Sequence, residues 1–320
     1  MELLPRFAGR ESASPPAVTV TPPKRMFNPL SYVPPPPSAT TAQREPKSPE
    51  EIARIRSEII AKRKLAVQSL RTAAGIFDYM SHVYLPKLPL PREGIQMPDT
   101  MIAVSEAFSL LCLVHVQQHT ILSALVTVSQ QNDGASTTSS SSSVSPMLLA
   151  KLSHGIVTQL AQVVTLLKDG TGAFYRAIEF SLHEFIRLTS DYYAGMRLIY
   201  LGVDCEVRGD HGRSITFFRQ GLLQLQPLTQ LNLATIRDCN PVLSEMKQWL
   251  TAEVDRIETV LKRLEYDNEH VTFETIPKWE DVKKDVDEMG DGIFMPKPLT
   301  YTPPPTLEAM FVPGTPSAKE

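Results

Sequence analysis

The stretch Leu198-Ile-Tyr-Leu-Gly-Val-Asp-Cys-Glu-Val-Arg-Gly-Asp-His-Gly-Arg-Ser-Ile-Thr-Phe-Phe-Arg-Gln-Gly-Leu-Leu-Gln-Leu-Gln-Pro227 decides the fold. Apolar residues recur at helical spacing on both sides of Gly209-Asp210-His211-Gly212, a turn whose two glycines punctuate the pattern. Leu198, Leu201, Gly202, Cys205, Gly209, Ser214, Phe218, Gly221 and Pro227 mark out two antiparallel helices. The small residues Gly202, Ser214 and Gly221 allow those helices to approach closely.

That order of residues is the order of a tetratricopeptide unit. A single unit cannot bury its own faces, so the helices before and after it must serve as its neighbours. The expectation is an all-α, solenoid-like architecture. Working toward the N-terminus, Ala173 to Val207 reads as one long helical stretch after the turn at Gly170-Thr171-Gly172. Before it, Leu148, Leu152, Ile156, Leu160, Val163 and Leu167 lie on one face of a helix that starts at Pro146. A further helix over about 99–129 is apolar on most sides and so central in the packing. Residues 130–145, QQNDGASTTSSSSSVS, read as a flexible serine-rich linker. The first helix starts at Ser48-Pro49-Glu50-Glu51, with a serine cap, proline at the first position and acids in the first turn. Its stripe runs from Ile52 to Tyr84, and Pro86, Pro89 and Pro91 end it. Toward the C-terminus, Leu243, Met246, Leu250, Val254, Ile257, Leu261 and Leu264 make a stripe that opens at Pro241. Val271 to Ile276 is read as the last structured piece and as extended chain.

Proline sets the limits of this helical block. Twelve of the 27 prolines fall in residues 1–50 and seven in 296–320, and only Pro146, Pro227, Pro241 and Pro277 interrupt 99–295. An interior proline costs a helix about 3 kcal/mol, so the centre can hold long helices and the ends cannot. The organisation expected is a disordered proline-rich tail over 1–47, a helical domain over 48–305 and a disordered tail over 306–320. Pro34-Pro35-Pro36-Pro37 should populate polyproline II, the form bound by proline-recognition domains. Thr21-Pro22, Ser48-Pro49, Thr302-Pro303 and Thr315-Pro316 have the form of proline-directed phosphorylation sites, as chance also produces in such tails.

Composition excludes several classes. A net charge of −3 argues against a dedicated nucleic-acid binder. The longest apolar region, Met101 to Val128, is broken by Glu106, His115, Gln117, Gln118 and His119, so no membrane span is expected. Cys112, Cys205 and Cys239 have no framework spacing and suit a reducing compartment. Glu2 and Glu11 argue against a mitochondrial presequence, and the chain is read as cytoplasmic.

No nucleotide-binding, hydrolase or metalloprotease motif occurs, and the chain is read as non-enzymatic, with no cofactor and no metal. One constellation has ligand chemistry: Cys112, His115 and His119 share a helix face and would need a fourth group such as His154 or His183. A polar seam on an apolar helix accounts for the same residues. The basic run Arg54, Arg56, Lys62, Arg63, Lys64 and Arg71, against Glu58 alone, would attract an acidic partner or anionic membrane. A solvated helix face is the simpler explanation, since the helical stripe already accounts for the segment.

Leu70-Arg-Thr-Ala-Ala-Gly-Ile-Phe77, running on to Leu85-Pro86-Lys87-Leu88, resembles the central helix of the BRO-domain family, with its Brox- and Alix-like members. Met26-Phe27-Asn28-Pro29-Leu30 is similar to the lead-in segment of Brox-like members. Asp267-Asn-Glu-His-Val-Thr-Phe273, Ile276-Pro277 and Lys297-Pro298-Leu299 resemble the segment that closes the family's domain. Between them, Tyr192-Tyr193 through Gln220 is similar to its tetratricopeptide-like helix pair.

The resemblance implies a curved, non-enzymatic helical scaffold, closed by an extended C-terminal arm over Pro296 to Pro305. It implies recruitment to endosomes by binding the amphipathic C-terminal helix of an ESCRT-III subunit in an apolar groove. By position the family's patch falls on Thr120 and Ile121 of one helix and on Leu148 and Leu152 of the next. Thr120 departs from the bulky apolar residue the family favours. The folded layer that family members carry before the central helix is replaced here by proline and threonine between Tyr32 and Ser48. That departure supports a second expectation, a helical subunit of a larger assembly docked through its bare N-terminal face.

Overall fold

The computed structural model describes residues 48–88, 100–133, 144–178, 180–230, 241–289 and 296–303. The expected tails, Pro34–Pro37, and most of the serine-rich linker lie outside them, as does Cys239. Seven α-helices and no strand occur among the described residues. They are α1 (Pro49–Tyr79), α2 (Ile102–Asp133), α3 (Pro146–Thr171), α4 (Phe180–Arg208), α5 (His211–Thr229), α6 (Pro241–Asp267) and α7 (Trp279–Asp287). Each helix from α1 to α5 packs against the next, and α7 packs back on α5. This is the curved solenoid of the expectation, with the α4–α5 pair as its tetratricopeptide-like unit.

Local chemistry explains the boundaries. Ser48 accepts the Glu51 amide at 3.2 Å and Pro49 occupies the first turn of α1. Asp210 caps α5 by accepting the Arg213 amide at 3.2 Å. Between α4 and α5, Gly209 adopts φ 82°, which closes the hairpin without a Cβ clash. Across the pair, Ser214 Oγ donates to the Gly202 carbonyl at 2.8 Å, and Phe217 and Phe218 are fully buried.

The core is continuous. It joins Leu111, Val114 and Ile121 of α2 to Leu149, Ile156 and Val163 of α3, Leu198 and Ile199 of α4, Ile215 and Leu225 of α5, and Ile257 and Leu264 of α6. By length and composition α2 and α3 are apolar enough to cross a bilayer, contrary to the expectation from sequence. Half of each apolar window is buried in the fold, where the pair lies between α1 and α4.

Four boundaries differ from the sequence reading. Helix α2 continues to Asp133, so the linker starts later than 130. The stretch expected from Ala173 to Val207 is divided: a 3₁₀ segment over Gly172–Ala177 precedes α4, because Gly172 takes φ 54° and Ile178 is extended. Val271 and Thr272 are not extended but complete a π-helical turn over Asn268–Thr272. Helix α7 follows it and was not expected; it buries only Val282 and Val286, too short a stripe to stand out.

That π turn is held by one buried side chain. Asn268 donates to the Glu274 carbonyl at 3.0 Å and accepts from the Glu274 amide (3.0 Å) and the Thr272 hydroxyl (2.7 Å). Phe273 between them is left-handed at φ 52°, a conformation costly for an aromatic residue. Replacing Asn268 by alanine leaves the Glu274 amide and carbonyl without these partners. The expected loss is about 2–3 kcal/mol, read from the urea midpoint.

The arm over 296–303 runs along α1. The Leu299 amide donates to the Arg71 carbonyl at 3.0 Å and Arg71 Nε donates to the Lys297 carbonyl at 2.9 Å. Tyr301 meets Tyr79 edge to face at 5.6 Å. One member of the basic run thus clamps the arm, and a second, Arg63, donates to the Leu122 carbonyl of α2.

Candidate functional site

The four residues implicated by the resemblance lie on α2 and α3, and the structure separates them by exposure. Leu148 is 48% exposed and Thr120 is exposed, whereas Ile121 (2%) and Leu152 (5%) belong to the core. Gly170 packs so tightly on Ala103 that a Cβ would overlap its side chain, which sets the register of the antiparallel pair. Leu152 and Ile121 each lie eighteen residues from that contact, so they meet between the helices. Leu148 and Leu125 are each four residues further on, near the end of the pair.

Helix geometry explains why two leucines on one stripe diverge. Steps of four residues overshoot a full turn by about 40°. Two such steps from the fully buried Ile156 rotate Leu148 by about 80°, and Leu149, also fully buried, takes the inward position. The first turn of α3, where the Leu148 amide donates to the Ser145 carbonyl at 3.0 Å, thus presents a leucine to solvent. Met147 and Ala124 are half-buried and Lys151 is exposed.

On its inner side Ile121 faces a small cleft of about 30 Å³ shared with Leu122, Leu125, Tyr192, Tyr193, Met196 and Trp249. The Tyr192 and Trp249 rings lie 5.4 Å apart, which brings α6 into the support of α2. Burial pushes the Tyr193 and Tyr200 hydroxyls well above the usual phenol range, so both stay neutral. Sequence reasoning missed this role of α6; the tyrosine pair and Trp249 were visible, but not their meeting.

The Cys112, His115 and His119 seam does not converge. His115 Nδ1 is 2.8 Å from Gln118 Oε1 and its ring stacks on Phe185. Burial, then the charges of Arg63 and His115, lower the His119 pKa, and burial raises that of the Cys112 thiol. His154 Nδ1 accepts from Arg197 at 2.7 Å, while His183 lies against Tyr175. Among the described residues no three metal-ligating groups come together.

The described residues form a helical-repeat domain whose α2–α3 pair presents a solvent-facing leucine, Leu148, near one end. The model of the BRO1-like domain family matches residues 53–306, and the chain belongs to that family. Among solved structures it is similar to the one described as the ALIX BRO1 CHMP4C complex, with a TM-score of 0.55 and 13% identity over 79% of this chain and 61% of that one. It is also similar to a structure described as the basis for endosomal targeting by the Bro1 domain, with a TM-score of 0.50 and 19% identity over 77% of this chain and 60% of that one. The chain thus spans about three fifths of the length of these solved relatives. No curated protein matches it.

Proposed function

We propose that this chain is a non-enzymatic adaptor of endosomal sorting that receives the C-terminal amphipathic helix of an ESCRT-III subunit on its α2–α3 face. The observation that carries this reading is the exposed Leu148, in a family one of whose structural relatives is described in complex with CHMP4C. An amphipathic helix binds by inserting apolar anchors at helical spacing, and Leu148, flanked by Met147, offers the complementary contact. Ile121 and Leu152 hold that surface from beneath, and Thr120 forms its polar edge. The protein would act in the cytoplasm and be recruited peripherally to endosomes. Pro34-Pro37 would supply a separate ligand for a proline-recognition domain.

Titration of a labelled ESCRT-III C-terminal helix tests the reading. Leu148→Asp is expected to weaken binding by about tenfold or more while leaving the melting temperature unchanged. Leu152→Asp is no substitute, because a charge at a buried position would unfold the chain. A parent protein that does not bind removes the partner; equal binding by Leu148→Asp removes the site.

A second reading, docking through the N-terminal face, is favoured by α1. Its Leu65 is 66% exposed and Ile76 37%, on one face of the first helix of the solenoid. An isolated chain that aggregates on size-exclusion would support this reading, and a well-behaved monomer would count against it.

A further inference from the structure

At the opposite end of the α2–α3 pair from Leu148 lies a cavity of about 560 Å³. It is walled by Leu85, Met101, Ile102, Ala103 and Leu166, with Thr100, Thr165 and Gly170 between them. Its charged members among the described residues are Glu106 of α2 and Asp169 of α3, both acidic. We propose that this cavity binds a peptide segment of a partner protein in which an aliphatic side chain stands next to a lysine or arginine.

Three features support this ligand chemistry. The volume falls within the roughly 300–1,000 Å³ of ordinary ligand pockets, and the helices meet beside it through a glycine and the methyl group of an alanine, which has no rotamer to change. Gly170 packs directly on Ala103, so the two helices pinch together beneath the opening. The wall is unfinished: Leu85 is buried at 4%, yet Ile102 remains 42% exposed. An aliphatic anchor would cover it.

Charge selects the rest of the ligand. Asp169 stands in the last turn of α3, where the free carbonyl ends already make the potential negative. A carboxylate there disfavours its own helix unless a cation meets it. Lys168 shares the turn but does not line the cavity. The half-positive amino end of α2 offsets part of this potential, and two full carboxylates outweigh half a charge. An anionic or purely aliphatic segment would leave both carboxylates partly desolvated and unpaired.

The test uses the full chain and a short fluorescent peptide of alternating leucine and arginine, with a leucine–glutamate peptide as control. Saturable binding of the first and none of the second is expected. Glu106→Gln with Asp169→Asn should weaken it by about tenfold or more, and so should Thr165→Trp, which fills the opening from an exposed position. Leu148→Asp should leave it unchanged, which separates this site from the α2–α3 surface above. Absence of binding, or parental affinity in both cavity variants, would overturn the proposal. So would binding that appears only after residues 89–99 are replaced by a glycine–serine linker, since the chain itself would then be the occupant.

Discussion

Gly202→Val is expected to destabilise the whole domain by about 3 kcal/mol or more, with a matching fall in the urea midpoint. A Cβ on Gly202 would stand 2.6 Å from Phe218 Cδ2 and 2.9 Å from Cε2, closer than Cβ atoms come to their neighbours in folded proteins. Phe218 has no solvent-facing side to retreat to, since it is fully buried. The backbone cannot separate either without lengthening the 2.8 Å bond from Ser214 Oγ to the Gly202 carbonyl. Gly195 and Gly221 repeat the device above it: a Cβ on either would meet Leu225 or Ile199 at 2.6 Å. Two controls separate crowding from glycine chemistry in general. Gly209→Ala has nothing within 4 Å of its new Cβ and pays only for φ 82°, about 1–2 kcal/mol. Adding Phe218→Ala to Gly202→Val should recover part of the loss, because the ring that causes the clash is gone. If the double variant is simply the sum of the two singles, the close approach is not what Gly202 provides.

This α4–α5 contact is also where the sequence was most informative. Small residues at Gly202, Ser214 and Gly221 around a glycine-bearing turn have few uses besides bringing two helices together, and that is what they do. The exposure of Leu148 was not legible in the same way. A stripe of leucines four apart says that a helix has an apolar face; it does not say which end of the stripe rotates off the core. That depends on where the neighbouring helices lie, and α3 is packed on both α2 and α4. Helix α7 was missed because two valines four apart carry little periodicity. The left-handed Phe273 was missed for the opposite reason, since local preference argues against it and a buried side chain, Asn268, imposes it.

Gly75→Ala is expected to release the C-terminal arm while leaving α1 intact. A Cβ at Gly75 would overlap the backbone carbonyl oxygen of Leu299, which cannot swing aside as a side-chain tip would. The arm has three attachments to lose: the Leu299 amide to the Arg71 carbonyl, Arg71 Nε to the Lys297 carbonyl, and the Tyr79–Tyr301 contact. Alanine meanwhile favours the helix over glycine by about 1 kcal/mol, so α1 gains what the arm forfeits. Global stability is therefore a poor readout, because the two effects have opposite sign. Amide exchange at 296–303 reports the arm alone, and protection there should fall while protection within α1 holds or rises. Arg71→Ala gives a graded comparison: it removes the Lys297 bond but keeps the backbone bond to Leu299, so protection should fall less. Full protection of the arm in Gly75→Ala would mean that α1 can shift to admit the methyl group. The seating of the arm would then not depend on glycine, and the side chains of Arg71 and Tyr79 would have to hold it.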